Sequence, residues 1–240
     1  MTVRASGAER TGNRILTALP SHEQEALMSA CERLDLARGT VIITAGAVAT
    51  HTYLLESGLS SLIVATPDGR SAEVAVGGSE SIAPAPATLW DGTAQQGDII
   101  MQQAGSVLRL PVPRFTELLA SLPAFSAFVD RFQLAWYDAV AQNAACNAQH
   151  NVERRFARWM LLALDRVGGD RLALTHEFVG LMLAVRRATV TVVAEVLRDA
   201  GAIDYRYGAI AVRDRAALEE RACPCYALMR DATEAALSRA

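Results

Sequence analysis

Arg186 and Arg187 stand side by side, and Thr189 and Thr191 follow closely. Guanidinium groups at the mouth of a helix meet phosphate oxygens, and hydroxyls add further donors. Ala188 and Val192 bring apolar surface to the same neighbourhood, and Arg206 lies a little further on. This set suits the grooves of duplex DNA rather than bond-making chemistry. Other reactive types are sparse. Cys31, Cys146, Cys223 and Cys225 form neither a disulfide framework nor a zinc pattern of the usual spacing. Cys223-Pro-Cys225 is the one close pair. It reads either as a redox or metal switch or as packing or surface thiols after a terminal helix, and the second reading is preferred. His51 and His150 belong to no paired spacing, so haem or metal ligation is not expected of them. There is no nucleophile–base pair, P-loop, dinucleotide fingerprint or metal motif, so neither an enzyme, a cofactor nor a metal site is expected.

The arginines need two short helices to present them. Thr175 suits an N-cap and Glu177 the first turn of a helix that carries Phe178, Leu181 and Met182 as an apolar stripe. Gly180 inside it costs about 1 kcal/mol relative to Ala, which a second helix crossing close by would explain. That second helix runs from Arg187 to Asp199. Val190, Val193, Ala194 and Leu197 fall on its inner face, and Ala188, Thr191, Val192 and Glu195 on the other. Gly201 follows as a C′ glycine. Ile203–Tyr205 and Ala209–Val212 read as two strands turning at Tyr207-Gly208. The stretch is therefore a winged helix-turn-helix, with helix 187–199 entering a DNA major groove. The alternative is a plain helical hairpin with its polar face in water, and Val192 on the outer face argues against it.

The rest of the chain bounds the reading. Of 240 residues, 51% are hydrophobic and 20% charged, ordinary for a soluble globular protein. No apolar run is long enough to span a membrane, and Met1–Asn13 lacks a signal-peptide core, so a cytoplasmic location is expected. Net charge is −3, but nine Arg against fourteen acids in 1–150 contrast with fourteen Arg against twelve acids in 151–240. The basic surplus thus falls on the helix-turn-helix half. Residues 1–13 are expected to be disordered. Pro20–Leu36 reads as a helix with Ser21 as N-cap and Leu27, Met28 and Cys31 inward. Short strands follow at 40–44, 52–56, 60–65, 72–76, 99–102 and 107–110, separated by turn signals, as in an antiparallel roll. A long helix from Ala124 to Cys146 carries Phe125, Phe128, Phe132, Ala135, Ala139 and Gln142 at alternating spacings of three and four, as a dimer seam would. Val129, Trp136 and Val140 make a second apolar face for the roll. A hinge is expected at 147–151. Beyond it runs a helix over 152–163, with Phe156, Trp159 and Met160 inward and Arg154, Arg155 and Arg158 outward.

From Thr175 to Ile203, and in its whole layout over residues 14–228, the chain resembles the Crp/Fnr family of bacterial transcription regulators. Arg38-Gly39-Thr40 and Leu55-Glu56-Ser57-Gly58 resemble the opening strands of that family's cyclic-nucleotide-type roll. The resemblance implies an α+β fold: an N-terminal antiparallel, jelly-roll-like β-roll sensor over 14–122, a dimerisation helix over 123–147, and a C-terminal winged helix-turn-helix over 148–240. It implies that Thr175, His176, Arg186 and Thr189 hold phosphates, and that Arg187 reads guanine. The other base-reading positions are Ala188 and Val192, which can only touch a thymine methyl. In nucleotide-binding members a Gly-Glu pair holds the ribose and an Arg beside a Ser or Thr holds the phosphate. Here no Arg occurs between Arg70 and Arg109, and Glu80 lies near the ribose position but not on it. Cyclic AMP is therefore not the expected effector. A pocket lined by Glu80, Ile82, Pro84, Pro86, Leu89 and Trp90 would suit an apolar ligand or be filled by side chains. The implied partners are double-stranded DNA, a second copy of the chain, RNA polymerase and a small-molecule effector, with no membrane. The alternative function is a ligand-binding or protein-interaction module whose winged helix no longer reads DNA.

Overall fold

The computed structural model describes residues 2–4, 11–85, 92–206 and 208–238. Two antiparallel sheets form the N-terminal roll. One has the order β1 (Thr2–Arg4), β2 (Glu32–Leu36), β9 (Gly105–Pro111), β4 (His51–Leu55), β7 (Ile82–Ala83). The other has the order β3 (Val41–Ile43), β8 (Asp98–Gln103), β5 (Leu59–Ala65), β6 (Ser71–Gly77). Leu34, Leu36, Ile43, Leu55, Ile99, Met101 and Val107 fill the space between them. The strands expected from alternation are present. The helix expected over 20–36 is not: α2 is Ser21–Ala30, and β2 begins at Glu32. Pairing of 32–36 with β9 won over local helical character, a non-local choice that periodicity cannot show. Pro20, not Ser21, holds the N-cap position, without a side-chain bond.

Within the stretch 1–13, expected to be disordered, residues 2–4 and 11–13 hold defined contacts, while residues 1 and 5–10 lie outside the described residues. Thr2–Arg4 pairs with β2. Asn13 caps α1 (Arg14–Thr17) through Leu16 N–H at 3.1 Å and donates to Leu55 O at 2.7 Å. Thr11 donates to Glu56 at 2.8 Å, and Glu56 pairs with Arg33 at 2.7 Å in a buried network. The resulting contacts fix residues 11–13 onto β4, where disorder was expected.

α3 (Val112–Ser121) leads into the long α4 (Pro123–Gln149). Its first turn is capped from another helix: Ala124 and Phe125 N–H donate to the buried Glu23 carboxylate at 3.0 and 2.7 Å. Phe125, Phe128 and Phe132 are buried in this chain's own core, with Ile15, Leu16, Leu27, Leu108, Phe115 and the second-face residue Val129. This overturns their assignment to a dimer seam. Ala135 and Ala139 are half-buried and line a crevice closed by the terminal helix α9 (Cys225–Ser238), an element the sequence reading did not foresee. The face of α4 that is exposed carries Ala127, Asp130, Leu134, Tyr137, Ala141, Ala144 and Ala148, also at alternating spacings of three and four. Leu134 and Tyr137 are 64% and 70% exposed.

After a break at His150, Asn151 caps α5 (Val152–Val167). Arg154 points outward, but Arg155 and Arg158 are buried, against expectation. Arg155 donates to Leu183 O at 2.6 Å, and Arg158 to Asn143 Oδ1 at 2.7 Å. α5 packs against α6 (His176–Leu183), α7 (Arg187–Asp199), α8 (Arg215–Arg221) and α9, and these two guanidiniums satisfy polar groups on its neighbours α6 and α4. β10 (Arg171–Leu172), β12 (Ala209–Val212) and β11 (Ile203–Arg206) form a third sheet. α6 and α7 precede the wing, and α8 follows it. No helix among the described residues is long and apolar enough to cross a membrane.

Candidate nucleic-acid interface

Thr175 caps α6 by accepting from Phe178 N–H at 3.2 Å. The helix ends at Ala184, which takes the left-handed conformation at φ 53°. Gly180 lies where the chain turns back. A Cβ there would stand 2.8 Å from Val185 O, so the turn itself, rather than the body of a second helix, requires the glycine. Arg186 opens α7 with no side-chain cap, leaving the helix's first amides without a side-chain partner beside two exposed arginines. Val190, Val193, Ala194 and Leu197 are buried and hold α7 on α5 and the wing. Arg186, Arg187, Ala188 and Val192 are exposed on the opposite face, Val192 at 60%. Among the described residues neither arginine takes part in an ion pair. Thr189 is half-buried at the same end.

His176 and Thr191 are placed differently from Arg187. His176 Nδ1 lies 3.0 Å from Thr191 Oγ1, and its ring stacks on Tyr205 at 4.1 Å. Thr191 also donates to Arg187 O at 3.2 Å. Burial, aided by the Arg187 charge, lowers the His176 pKa below that of a free imidazole. The ring is therefore neutral at pH 7 and joins α6, α7 and β11 rather than offering a cation to phosphate. Arg206 ends β11, paired with Ala209; its side chain lies outside the described residues.

Of the expected effector pocket, Glu80, Ile82 and Pro84 are among the described residues. Ile82 and Pro84 are buried in the roll, and 86–91, with Pro86, Leu89 and Trp90, lie outside the described residues. Glu80 is buried and pairs with Arg166 of α5 at 2.7 Å. It borders a narrow crevice of about 30 Å³ between roll, α4 and α9, walled by Phe128, Phe132, Trp136 and Leu237. Arg166 of α5 thus stands at the edge of this crevice with its guanidinium engaged by a carboxylate.

The winged helix also docks on the roll, which sequence reasoning missed. Leu59 and Ile63 of β5 share one core with α5, α6 and α7. At its edge Glu73 of β6 is buried, accepting from Trp159 Nε1 at 2.7 Å and Ser61 Oγ at 2.6 Å, and bonded to Gln102. Burial pushes the Glu73 pKa up to about 7 against the lowering effect of these donors and of Arg158 and Arg166. A lone acidic residue in an alternating strand gives no sequence signal of such a partner.

A roll packed on a long helix and followed by a winged helix-turn-helix with an exposed, arginine-tipped second helix is the layout of a helix-turn-helix regulator with an N-terminal roll domain. Sequence models agree: a cyclic nucleotide-binding domain matches residues 33–121 and a Crp-like helix-turn-helix domain residues 154–221. The chain belongs to the Crp/Fnr family of transcription regulators. No curated protein sequence matches it. Similar solved structures include FixK2 from Bradyrhizobium japonicum, at TM-score 0.68 and 14% identity, covering 80% of this chain and 98% of that one. The c-di-GMP responsive global regulator CLP of Xanthomonas campestris aligns at TM-score 0.66 and 16% identity, over 81% and 100%. A Crp/Fnr-family regulator from Thermus thermophilus aligns at TM-score 0.62 and 20% identity, over 79% and 97%. At these identities the likeness concerns the fold.

Proposed function

We propose that the protein is a homodimeric, sequence-specific DNA-binding transcription regulator acting on a near-palindromic site. The observation that carries this reading is the free face of α7, where Arg186, Arg187 and uncapped amides stand next to exposed Ala188 and Val192. Arg186, the helix amides and Thr189 meet phosphates, Arg187 donates to guanine, and Ala188 and Val192 lie against thymine methyls. The half-site is accordingly poorer in polar base contacts than one read by charged side chains at those positions. The exposed stripe of α4, from Ala127 to Ala148, supports pairing of two chains along that helix. The Glu80–Arg166 pair and the apolar crevice walls argue against a cyclic nucleotide as effector: a phosphate would have to displace a carboxylate already 2.7 Å from the guanidinium.

The test is a gel shift on the DNA upstream of the protein's own coding region. The native protein retards it, and Arg187→Ala weakens binding by about 1–3 kcal/mol while relaxing preference at one base position. No retardation by the native protein, or none lost in the variant, favours a winged helix that has ceased to read DNA.

A further inference from the structure

Four potential metal ligands from distant parts of the chain meet at the joint between α4, α5 and α9. Cys146 lies in the last turn of α4, and His150 is its C-cap residue, whose N–H bonds to Cys146 O. Cys223 lies in the turn between α8 and α9, and Cys225, just past Pro224, is the first residue of α9. The fold brings Cys146 Sγ to 3.4 Å from Cys223 Sγ. His150 Nδ1 lies 3.4 Å from Cys146 Sγ and 3.6 Å from Cys225 Sγ. All four donor atoms fall within 4.8 Å of one another.

These separations have a chemical meaning. A disulfide needs sulfur atoms about 2.05 Å apart. Tetrahedral zinc, with bonds of about 2.3 Å to sulfur and about 2.0–2.1 Å to nitrogen, sets its ligand atoms about 3.6–3.8 Å apart. The observed separations, 3.4–3.6 Å for three of the pairs and none beyond 4.8 Å, lie near the second geometry and far from the first. Apolar packing alone would not explain the set, since the three buried cysteines form a small cluster of their own, apart from the larger cores. The surroundings suit an anionic metal–thiolate centre. Gln142 Nε2 lies 3.0 Å from Cys225 Sγ, positioned to donate to a thiolate. The buried Arg155 and Arg158 lie within electrostatic range of the thiols and offset the charge of three thiolates around a divalent ion.

We propose that Cys146, His150, Cys223 and Cys225 form a Cys3His site for one thiophilic divalent cation, zinc above others. Four protein ligands leave no open position, so the ion is structural rather than catalytic. On binding, the three thiols release their protons to solvent and the imidazole binds through Nδ1. The clasp joins the chain just before the winged-helix domain to the chain just after it. It thereby fixes the break at His150 and the attitude of that domain on α4. None of the four ligands lies within the segments matched by the family models, which end at 121, resume at 154 and stop at 221.

The experiment uses the full chain, purified under thiol reductant without chelator, loaded with zinc, dialysed and assayed for metal by mass spectrometry. One retained zinc per chain is expected, falling to background in Cys223→Ser and His150→Gln but unchanged in Cys31→Ser, whose thiol is buried elsewhere. Gln142→Ala should weaken retention against a competing chelator by about 10–100-fold. Cobalt loading of the native protein, which needs no variant to fold, should give thiolate charge-transfer bands and intense tetrahedral visible bands. No ion retained by the reduced native protein, an octahedral cobalt spectrum, or equal loss in Cys31→Ser overturns the proposal.

Discussion

Ala184 closes α6 at φ 53°, a conformation that costs a residue with a Cβ about 1–2 kcal/mol. Glycine meets no such cost but loses more freedom on folding. Ala184→Gly should therefore raise the unfolding free energy by about 0.5–1 kcal/mol, read from urea midpoints at constant slope. Residues with local roles were legible in the sequence: the Thr175 cap and the outward Val192 follow from near neighbours, whereas Gly180 reads as making room for a crossing helix and is required instead by the turn at Val185. Residues whose partners are distant were not legible. His176 reads as a phosphate contact until Thr191 and Tyr205 are seen to hold it. Arg155 and Arg158 read as surface charges until the carbonyl and amide oxygens they serve come into place.

At the scale of elements, α4 shows why a repeat alone is ambiguous. It carries two sets of alternating spacings on different faces. The more hydrophobic set, Phe125, Phe128 and Phe132, is taken up by the chain's own roll. The set left outside has only Leu134 and Tyr137 as large side chains, with alanines around them. Weak apolar character is what a separately folded subunit can expose, so the stripe proposed to pair two chains gives little signal in the sequence. A carboxylate at the centre of such a stripe meets its like across a twofold axis. Leu134→Asp combined with Tyr137→Asp should shift sedimentation from dimer to monomer at micromolar concentration, with circular dichroism unchanged. A dimer that persists would move the interface off this face. The strand β2 failed to show in the sequence for a related reason: its identity is decided by β9, about seventy residues further on.

At the scale of the whole molecule, the joint between sensor roll and winged helix contains a titrating group. Glu73 has its pKa raised from 4.5 to about 7, chiefly by burial, in contact with Trp159 and near Arg158 and Arg166. The folded chain thus holds this proton more tightly than the unfolded one. The stabilisation is complete below about pH 4.5 and is lost as pH rises through about 7, amounting to about 3 kcal/mol. Urea unfolding followed between pH 5.5 and 8 should show the native protein weakening, whereas Glu73→Gln should lack that component of the slope. An equal slope in both proteins would assign the pH dependence elsewhere.

The terminal helix has one more consequence. Leu237 reaches the core against the roll, and α9 forms a wall of the crevice beside Phe132 and Trp136. A segment tethered to its own binding groove is present there at an effective concentration of millimolar or more. Any soluble molecule that needs the room α9 occupies competes with a rival that never diffuses away. Its apparent affinity is divided by the fraction of time the rival is absent. For an effector of the kind proposed above to bind where α9 lies, it would have to be abundant or tight enough to outlast this fourteen-residue helix.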